Sequence, residues 1–448
     1  MNIRIIPFFP FTLHRIMNPI RFLVTLLVGL LLILGNTTNF AQADTKVYLD
    51  ITASGTRKIN MAIPWFTNTA KAGELQAFGR ELANTLEKAL EFHGIISIIP
   101  NQNYSGSSSP DWKQVGADYT ILGSYTISPA GINYEMRLLD VGGGDMVLGK
   151  KYTGTTEQKQ EIIFKFCDSV IKELTGEQGI ASSQIAFIAD STGAKEAYVT
   201  NILGDKTRQI TRHRNLVISP RFTPDGQSLS YTSYHKGNQN LYITDLNQST
   251  STQVLSRRKG MNLGPAWSPD GQRMILTMSK DGNPDLYMLD RKGNVLEQLT
   301  KRSGINVSAA WSPNGNTIAF VSDRSGKPQI YLMDLGSKNV QRLTFKGTEN
   351  AEPSWSPKGD LLAYSSLTNG SYQICTITPQ QGATPSQVTK DANQHESPDW
   401  SPDGKQLIYS QREGGARKIY AILKNGTFQR QIFSLKGNQT YPRWSSKK

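Results

Sequence analysis

A motif of one aromatic residue followed by Ser/Thr-Pro-X-Gly occurs five times in the C-terminal half of this chain, headed by Phe222, Trp267, Trp311, Trp355 and Trp400. Successive heads lie 45, 44, 44 and 45 residues apart, and a sixth aromatic, Trp444, follows 44 residues on with four residues remaining. A fixed period of about 40 to 50 residues with several short strands per unit marks the blades of a β-propeller. A final copy reduced to its first strand implies a ring joined by its two ends.

Each unit reads as four strands. In the third copy, Ser308, Ala309, Ala310 and Trp311 lead into the turn 312–315, and strand-like runs follow at 318–322, 329–334 and 340–344. Four short strands make one blade. Pro and Gly suit the second and fourth positions of a type I turn, and the Asp or Asn between them can bond its own backbone. One carboxylate per turn gives too few oxygens for calcium.

Two residues before each aromatic stand Pro220, Pro265, Ala309, Pro353, Pro398 and Pro442. Proline donates no ladder hydrogen bond and is confined to sheet edges, so this strand is the innermost one, with its free side toward a central channel. Residues 184–190, 196–202 and 208–211 match the second, third and fourth strands of a blade that lacks its first, and residues 441–444 supply that first strand. The expected fold is a small N-terminal α/β domain followed by a six-bladed β-propeller over residues 184–448, closed by pairing of N- and C-terminal strands.

Upstream, an apolar run at 22–34 follows Arg21 and precedes Ala41-Gln42-Ala43. That is the pattern of a secretory signal cleaved after residue 43. About 13 apolar residues fall short of the roughly 20 that span a bilayer, so export without membrane insertion is expected. Translation from Met17 would give a signal of ordinary length. Residues 44–179 do not repeat. Leu75, Phe78, Leu82, Leu86 and Leu90 form one apolar stripe, which predicts a helix over 73–93 stopped by Gly94. Strands are expected at 59–66, 119–127, 132–141 and 150–155, a second helix at 159–174, and a linker at 176–183.

The formal net charge is +13, nearer about +10 once the three arginines of the signal are removed. The basic residues are scattered through loops without aromatic platforms, which argues against nucleic-acid binding. Cys167 and Cys375 read as two buried free thiols, since a chain of this size needs no disulfides. His93, His213, His235 and His395 lie in separate segments, so no shared metal site is expected. Hydrolase elbows, zinc-protease helices and phosphate loops are absent from the sequence. No catalytic residue and no cofactor is expected.

Strand alternation would put the residues five, three and one before each aromatic on the face opposite the proline, around the channel mouth. This selects Asn262, Asn306, Asn350, His395 and Gln439 at the first of these positions and Glu352 and Tyr441 at the second, with Glu396 beside them. They are the candidate partner-binding residues; mere solvation at a strand start is the alternative reading. Two rival classes stay open. One is a hydrolase or lyase using Glu352, Glu396 or Asp399. The other is a ligand-binding propeller, for which Tyr441 is the sole aromatic at these positions.

The whole pattern resembles the TolB family, periplasmic proteins of the Tol-Pal system of Gram-negative bacteria. The resemblance rests on the signal, on Gly116-Ala117-Asp118-Tyr119 with Leu122-Gly123, on Glu173-Leu174-Thr175-Gly176 before the propeller, and on the repeated Trp-Ser-Pro-Asp-Gly. Phe222 for Trp and Lys358 for Asp are local departures. The resemblance implies a non-enzymatic, monomeric adaptor. Its propeller mouth would bind the peptidoglycan-associated lipoprotein Pal, and its N-terminal segment would bind TolA and other inner-membrane Tol proteins, supporting outer-membrane integrity and constriction at cell division. Here that segment is Asp44, Thr45, Lys46, Val47, Tyr48, Leu49, Asp50 and Ile51, whose alternation suits either strand addition to a partner or a strand of its own domain.

Overall fold

The computed structural model describes residues 57–70, 76–105, 110–247 and 251–446. The expected signal (1–43) and the segment 44–51 lie outside the described residues. The α/β region contains β1 (Ile59–Ala62), β2 (Thr67–Asn68), α1 (Gln76–Phe92), β3 (Ile96–Ile98), α2 (Trp112–Val115), β4 (Tyr119–Ser128), β5 (Gly131–Asp140), β6 (Met146–Gly154) and α3 (Lys159–Thr175). The strands form one sheet in the order β3-β1-β4-β5-β6, with β2 also on β4. Period-two burial is plain in β5, where Ile132, Tyr134, Met136 and Leu138 face the core.

The two long helices pack on each other beside the sheet. Leu82, Leu86 and Leu90 of α1 meet Ile163, Phe166 and Val170 of α3 in one buried cluster, which also holds Cys167. Helix and chain approach so closely at Gly79 that a Cβ there would lie 1.9 Å from the Phe66 carbonyl oxygen. β3 and α2 escaped the sequence reading because each is three or four residues long. Asp111 caps α2, accepting from the backbone N–H groups of Lys113 (3.0 Å) and Gln114 (3.2 Å).

The connection 176–183 is pinned rather than slack. Asp168 on α3 accepts from Ala181 N (2.6 Å) and Ser182 N (3.0 Å), and His93 Nε2 accepts from Ile180 N (3.1 Å). Ile180 and Ala181 are themselves buried. Buried backbone donors must find acceptors, and these side chains supply them.

Six antiparallel four-stranded sheets follow. Blade 1 is closed as the incomplete repeat implies: Gln439–Trp444 pairs with Gln184–Ala189, placing Thr440 opposite Ile188 and Trp444 opposite Ile185. The innermost strands of blades 2 to 6 are Val217–Phe222, Asn262–Trp267, Asn306–Trp311, Asn350–Trp355 and Gln394–Trp400. Each pairs on one side only, so the proline two places before the aromatic needs no ladder partner. The Ser-Pro-Asp-Gly turns close by Gly271 N→Ser268 O (2.9 Å) and its counterparts, with the glycine at positive φ in all five (67° to 74°).

The aromatics that head the turns join blade to blade. The indole N–H groups of Trp311, Trp355 and Trp400 donate to the carbonyls of Ala266 (3.0 Å), Ala310 (3.1 Å) and Ser354 (3.1 Å) on the preceding innermost strand. In the copy where Lys358 replaces Asp, the Ser356 hydroxyl turns to Asp360 (2.6 Å), and Lys358 is free to reach Glu177 at 2.6 Å. The α/β region lies against this turn side. Phe92 O accepts from Gln406 Nε2 (3.1 Å) and Arg430 Nη2 (2.5 Å), and the Phe92 ring meets Trp444 edge-on at 6.0 Å.

Candidate functional site

The innermost strands do not alternate regularly, and this relocates the residues chosen by alternation. All six carry a β-bulge between the fourth and first residues before the aromatic. Three places before it the backbone turns left-handed: Ser219 (φ 53°), Gly264 (62°), Ser308 (54°), Glu352 (54°), Ser397 (59°) and Tyr441 (52°). Five of these are non-glycine residues in a region that costs them about 1 kcal/mol or more each. A bulge inserts an unpaired residue and swings the strand, so period two fails here.

The correction falls on the residues five places before the aromatic. Asn262, Asn306, Asn350, His395 and Gln439 are fully buried, where the alternation placed them on the mouth. Each clamps the chain instead. Asn306 Nδ2 bonds Asp285 (3.0 Å) and Gly304 O (2.9 Å), Asn350 Nδ2 bonds Gln329 (2.8 Å), and Asn262 Nδ2 bonds Arg258 O (2.7 Å). Gln439 Nε2 donates to Leu435 O (2.7 Å) and His395 Nε2 meets Asp391 (2.7 Å). The His395 Nδ1 is buried without a partner, and burial pushes the ring down to about 4 against the pull of Asp391.

Glu352, Glu396 and Tyr441 do come together. They line a cavity of about 410 Å³ at the mouth where the strands begin, with Asp190, Lys195 and Arg417 among its other walls. Most of its acids are already engaged. Glu352 accepts from Ser397 N (2.7 Å), Ser397 Oγ (2.6 Å) and Ser365 Oγ (3.0 Å); Glu396 pairs with Arg417; Asp190 holds Asn438 N (2.6 Å) and Nδ2 (2.8 Å) at the ring closure. Oxygens so engaged have few lone pairs left for a ligand. Lys195 and Arg412 are exposed on the same wall and, among the described residues, have no ion-pair partner. Across the mouth, the corresponding positions of blades 2 to 4 are Leu216 and Ile218, Met261 and Leu263, and Ile305 and Val307, with Ile305 48% exposed. The mouth is therefore apolar on one arc and charged on the other, a division missed at positions six and four before the aromatic.

Two histidines from separate segments do meet. The rings of His213 and His235 meet tilted at 40°, 4.0 Å apart, around the Ser233 hydroxyl, 2.7 and 2.9 Å from their Nδ1 atoms. Burial and the mutual proximity of the pair lower the pKa of His213. Among the described residues no group of three or more His, Cys, Asp or Glu is arranged to hold a metal ion. Cys167 and Cys375 are free and buried, and burial raises both thiol pKa values, that of Cys375 to about 11. No described helix is long and apolar enough to cross a membrane.

A six-bladed propeller with a recessed, two-faced mouth, joined to a small α/β domain on its turn side, defines a class of two-domain propeller proteins. The chain belongs to the TolB family: residues 171–448 match the family model described as TolB beta propeller domain, and residues 47–147 match the TolB amino-terminal domain. Among curated relatives, the "Tol-Pal system protein TolB" of Desulfotalea psychrophila is 54% identical over 231 residues, 52% of this chain and 53% of that protein. A namesake from Desulfosudis oleivorans is 39% identical over 239 residues, 51% of this chain and 54% of its own length. The chain thus spans about half the length of the curated relatives it matches. The crystal structure of TolB from Acinetobacter baumannii superposes with a TM-score of 0.77 at 26% identity, over 88% of this chain and 98% of that one.

Proposed function

We propose that this chain is a periplasmic adaptor of the Tol-Pal system, without catalytic activity, that binds a peptidoglycan-associated lipoprotein at the propeller mouth. The supporting observation is the mouth itself. It combines an apolar arc from Leu216 to Val307, cations at Lys195 and Arg412 that pair with no acid among the described residues, and acids already held by the fold. Large apolar side chains rimmed by charge fit a protein partner, and these cations fit an acidic edge on it. Family membership supports the choice of partner, because the matched relatives carry the Tol-Pal name. The second contact, through residues 44–51 to TolA or another inner-membrane Tol protein, rests on the family alone. Support of outer-membrane integrity and of constriction during division would follow from bridging the two membranes.

The test is capture from native envelope extract with the full mature chain, the Ile305→Asp variant and the Arg412→Glu variant. Recovery of a peptidoglycan-associated lipoprotein by the wild-type chain, reduced about tenfold or more by Ile305→Asp, is expected. No recovery under native conditions overturns the reading. Deleting residues 44–51 should abolish capture of inner-membrane partners and spare the lipoprotein; unchanged inner-membrane capture would leave that segment a structural role only.

A further inference from the structure

The channel has a second end, on the turn side, built of different chemistry from the mouth. There a cavity of about 240 Å³ is walled by Phe222, Trp267, Trp311, Trp355 and Trp444 and carries one charged side chain, Arg221. The aromatics are those that head the turns, so the ring of repeats produces the aromatic wall automatically. Their indole nitrogens are spent on neighbouring blades or, for Trp444, on Ser183 of the connection, which leaves flat carbon faces and no indole donors for a ligand.

Arg221 is unusual in this setting. It stands one place before Phe222, where blades 3 to 5 have Ala266, Ala310 and Ser354. Among the described residues its guanidinium makes no hydrogen bond; it forms an ion pair with Asp399, whose Oδ1 is 3.6 Å away, and its side chain is 26% exposed. Asp399 is already engaged, accepting from Ser354 Oγ (3.0 Å) and Trp444 N (2.7 Å). Arg443, on the neighbouring innermost strand, adds a buried cation whose Nε has no partner among the described residues. On the mouth side of the bulge, Glu352 is held by two serines. A guanidinium with five donors in a planar fork is matched by a carboxylate, and the loose pair with Asp399 makes no hydrogen bond and leaves that fork open. Burial and Arg443 push Arg221 down to about 9, so it remains a cation at neutral pH.

We propose that the turn-side end of the channel is a binding site for a small organic carboxylate with a flat apolar body. The carboxylate lies on Arg221 and the body between the indoles. A cavity of about 150 Å³ lined by apolar residues accepts benzene, so about 240 Å³ holds one ring with its substituent. The site is separate from the partner-binding mouth and does not depend on that reading. Trp444, whose ring also touches Phe92 of the α/β region, would report occupancy to that region.

The probe is 4-fluorobenzoate, titrated into the full mature chain and followed by fluorine NMR and calorimetry, with 4-fluorobenzamide and acetate as controls. Saturable binding of the benzoate is expected, at least about tenfold tighter than either control, because a charge-assisted contact and an aromatic contact each carry roughly that factor. Arg221→Met should lose the preference for benzoate over benzamide. Ala310→Leu, which fills the cavity and keeps the cation, should lose both ligands; it decides the matter if Arg221→Met does not fold, as read by circular dichroism. Benzamide binding as tightly as benzoate, acetate binding as tightly as benzoate, unaltered binding in Ala310→Leu, or no saturation below about 10 mM would each overturn the proposal.

Discussion

His395 offers the sharpest quantitative test of the clamp positions. In the four other clamped blades the same place holds Asn262, Asn306, Asn350 or Gln439, all neutral amides at every pH. His395 alone can acquire a charge, and its surroundings oppose that. Its ring is fully buried, tilted at 45° against Tyr409 at 5.3 Å, and its Nδ1 has, among the described residues, no acceptor for the proton that the charged form would carry. Asp391 at 2.7 Å on Nε2 works the other way. With the folded pKa near 4 and an unfolded value near 6.5, the unfolded chain binds more protons between these limits. Stability from this residue is therefore complete above about pH 6.5 and falls as pH is lowered toward 4. Integrating the linkage gives a loss of about 2 kcal/mol at pH 5 and about 3 kcal/mol at pH 4. His395→Gln restores the amide used in blade 1 and removes the titration. Urea unfolding at a series of pH values should show the variant within about 1 kcal/mol of the wild-type chain at pH 7.5, and more stable by about 2 kcal/mol at pH 5. A stability difference between the two that does not change with pH would refute the reasoning.

Other perturbations follow from the same contacts. Asp168→Ala strips two donors in the pinned connection of their acceptor and should cost about 2 to 4 kcal/mol in urea unfolding; no loss would mean that the connection is held elsewhere. Trp355→Phe keeps a ring but removes the bond to Ala310 O, at an expected cost of about 1 to 3 kcal/mol, again read from the unfolding midpoint. Removing residues 439–446 opens blade 1, uncovering Gln184–Ala189. Dye binding to exposed apolar surface and aggregation by gel filtration should both rise, and a truncated chain that stays monomeric with a single sharp transition would contradict the closure.

Much of the architecture was legible because propeller blades are local objects. The period and the prolines report pairings within about 45 residues, while the missing first strand of blade 1 pointed to the strand at the far end of the chain that supplies it; together they define six blades and their closure. The long helices were equally plain from their stripes. The mouth was less legible for a specific reason. A single left-handed residue three places before each aromatic breaks the period of two, and Ser, Glu and Tyr give no warning of positive φ as glycine or asparagine would. Hence Glu352, Glu396 and Tyr441 do line the mouth cavity, while the five amide and imidazole clamps expected beside them are buried. The meeting of His213 with His235 depends on two loops approaching in space, which no spacing along the chain encodes.

The clasp of blade 1 also governs the order of events in folding. Five blades can form from contacts between neighbouring strands, but the Trp444 indole reaches Ser183 across 261 positions. Bringing ends so distant together carries an entropic penalty of about 5 kcal/mol from chain length alone, though earlier blades shorten the effective loop. Until then one strand edge in blade 1 stands open, the kind of surface on which chains pair with one another. Completion of the ring is thus both the slowest expected step and the moment at which the chain ceases to be sticky. Any partner that reads the closed channel can recognise only molecules that have passed it.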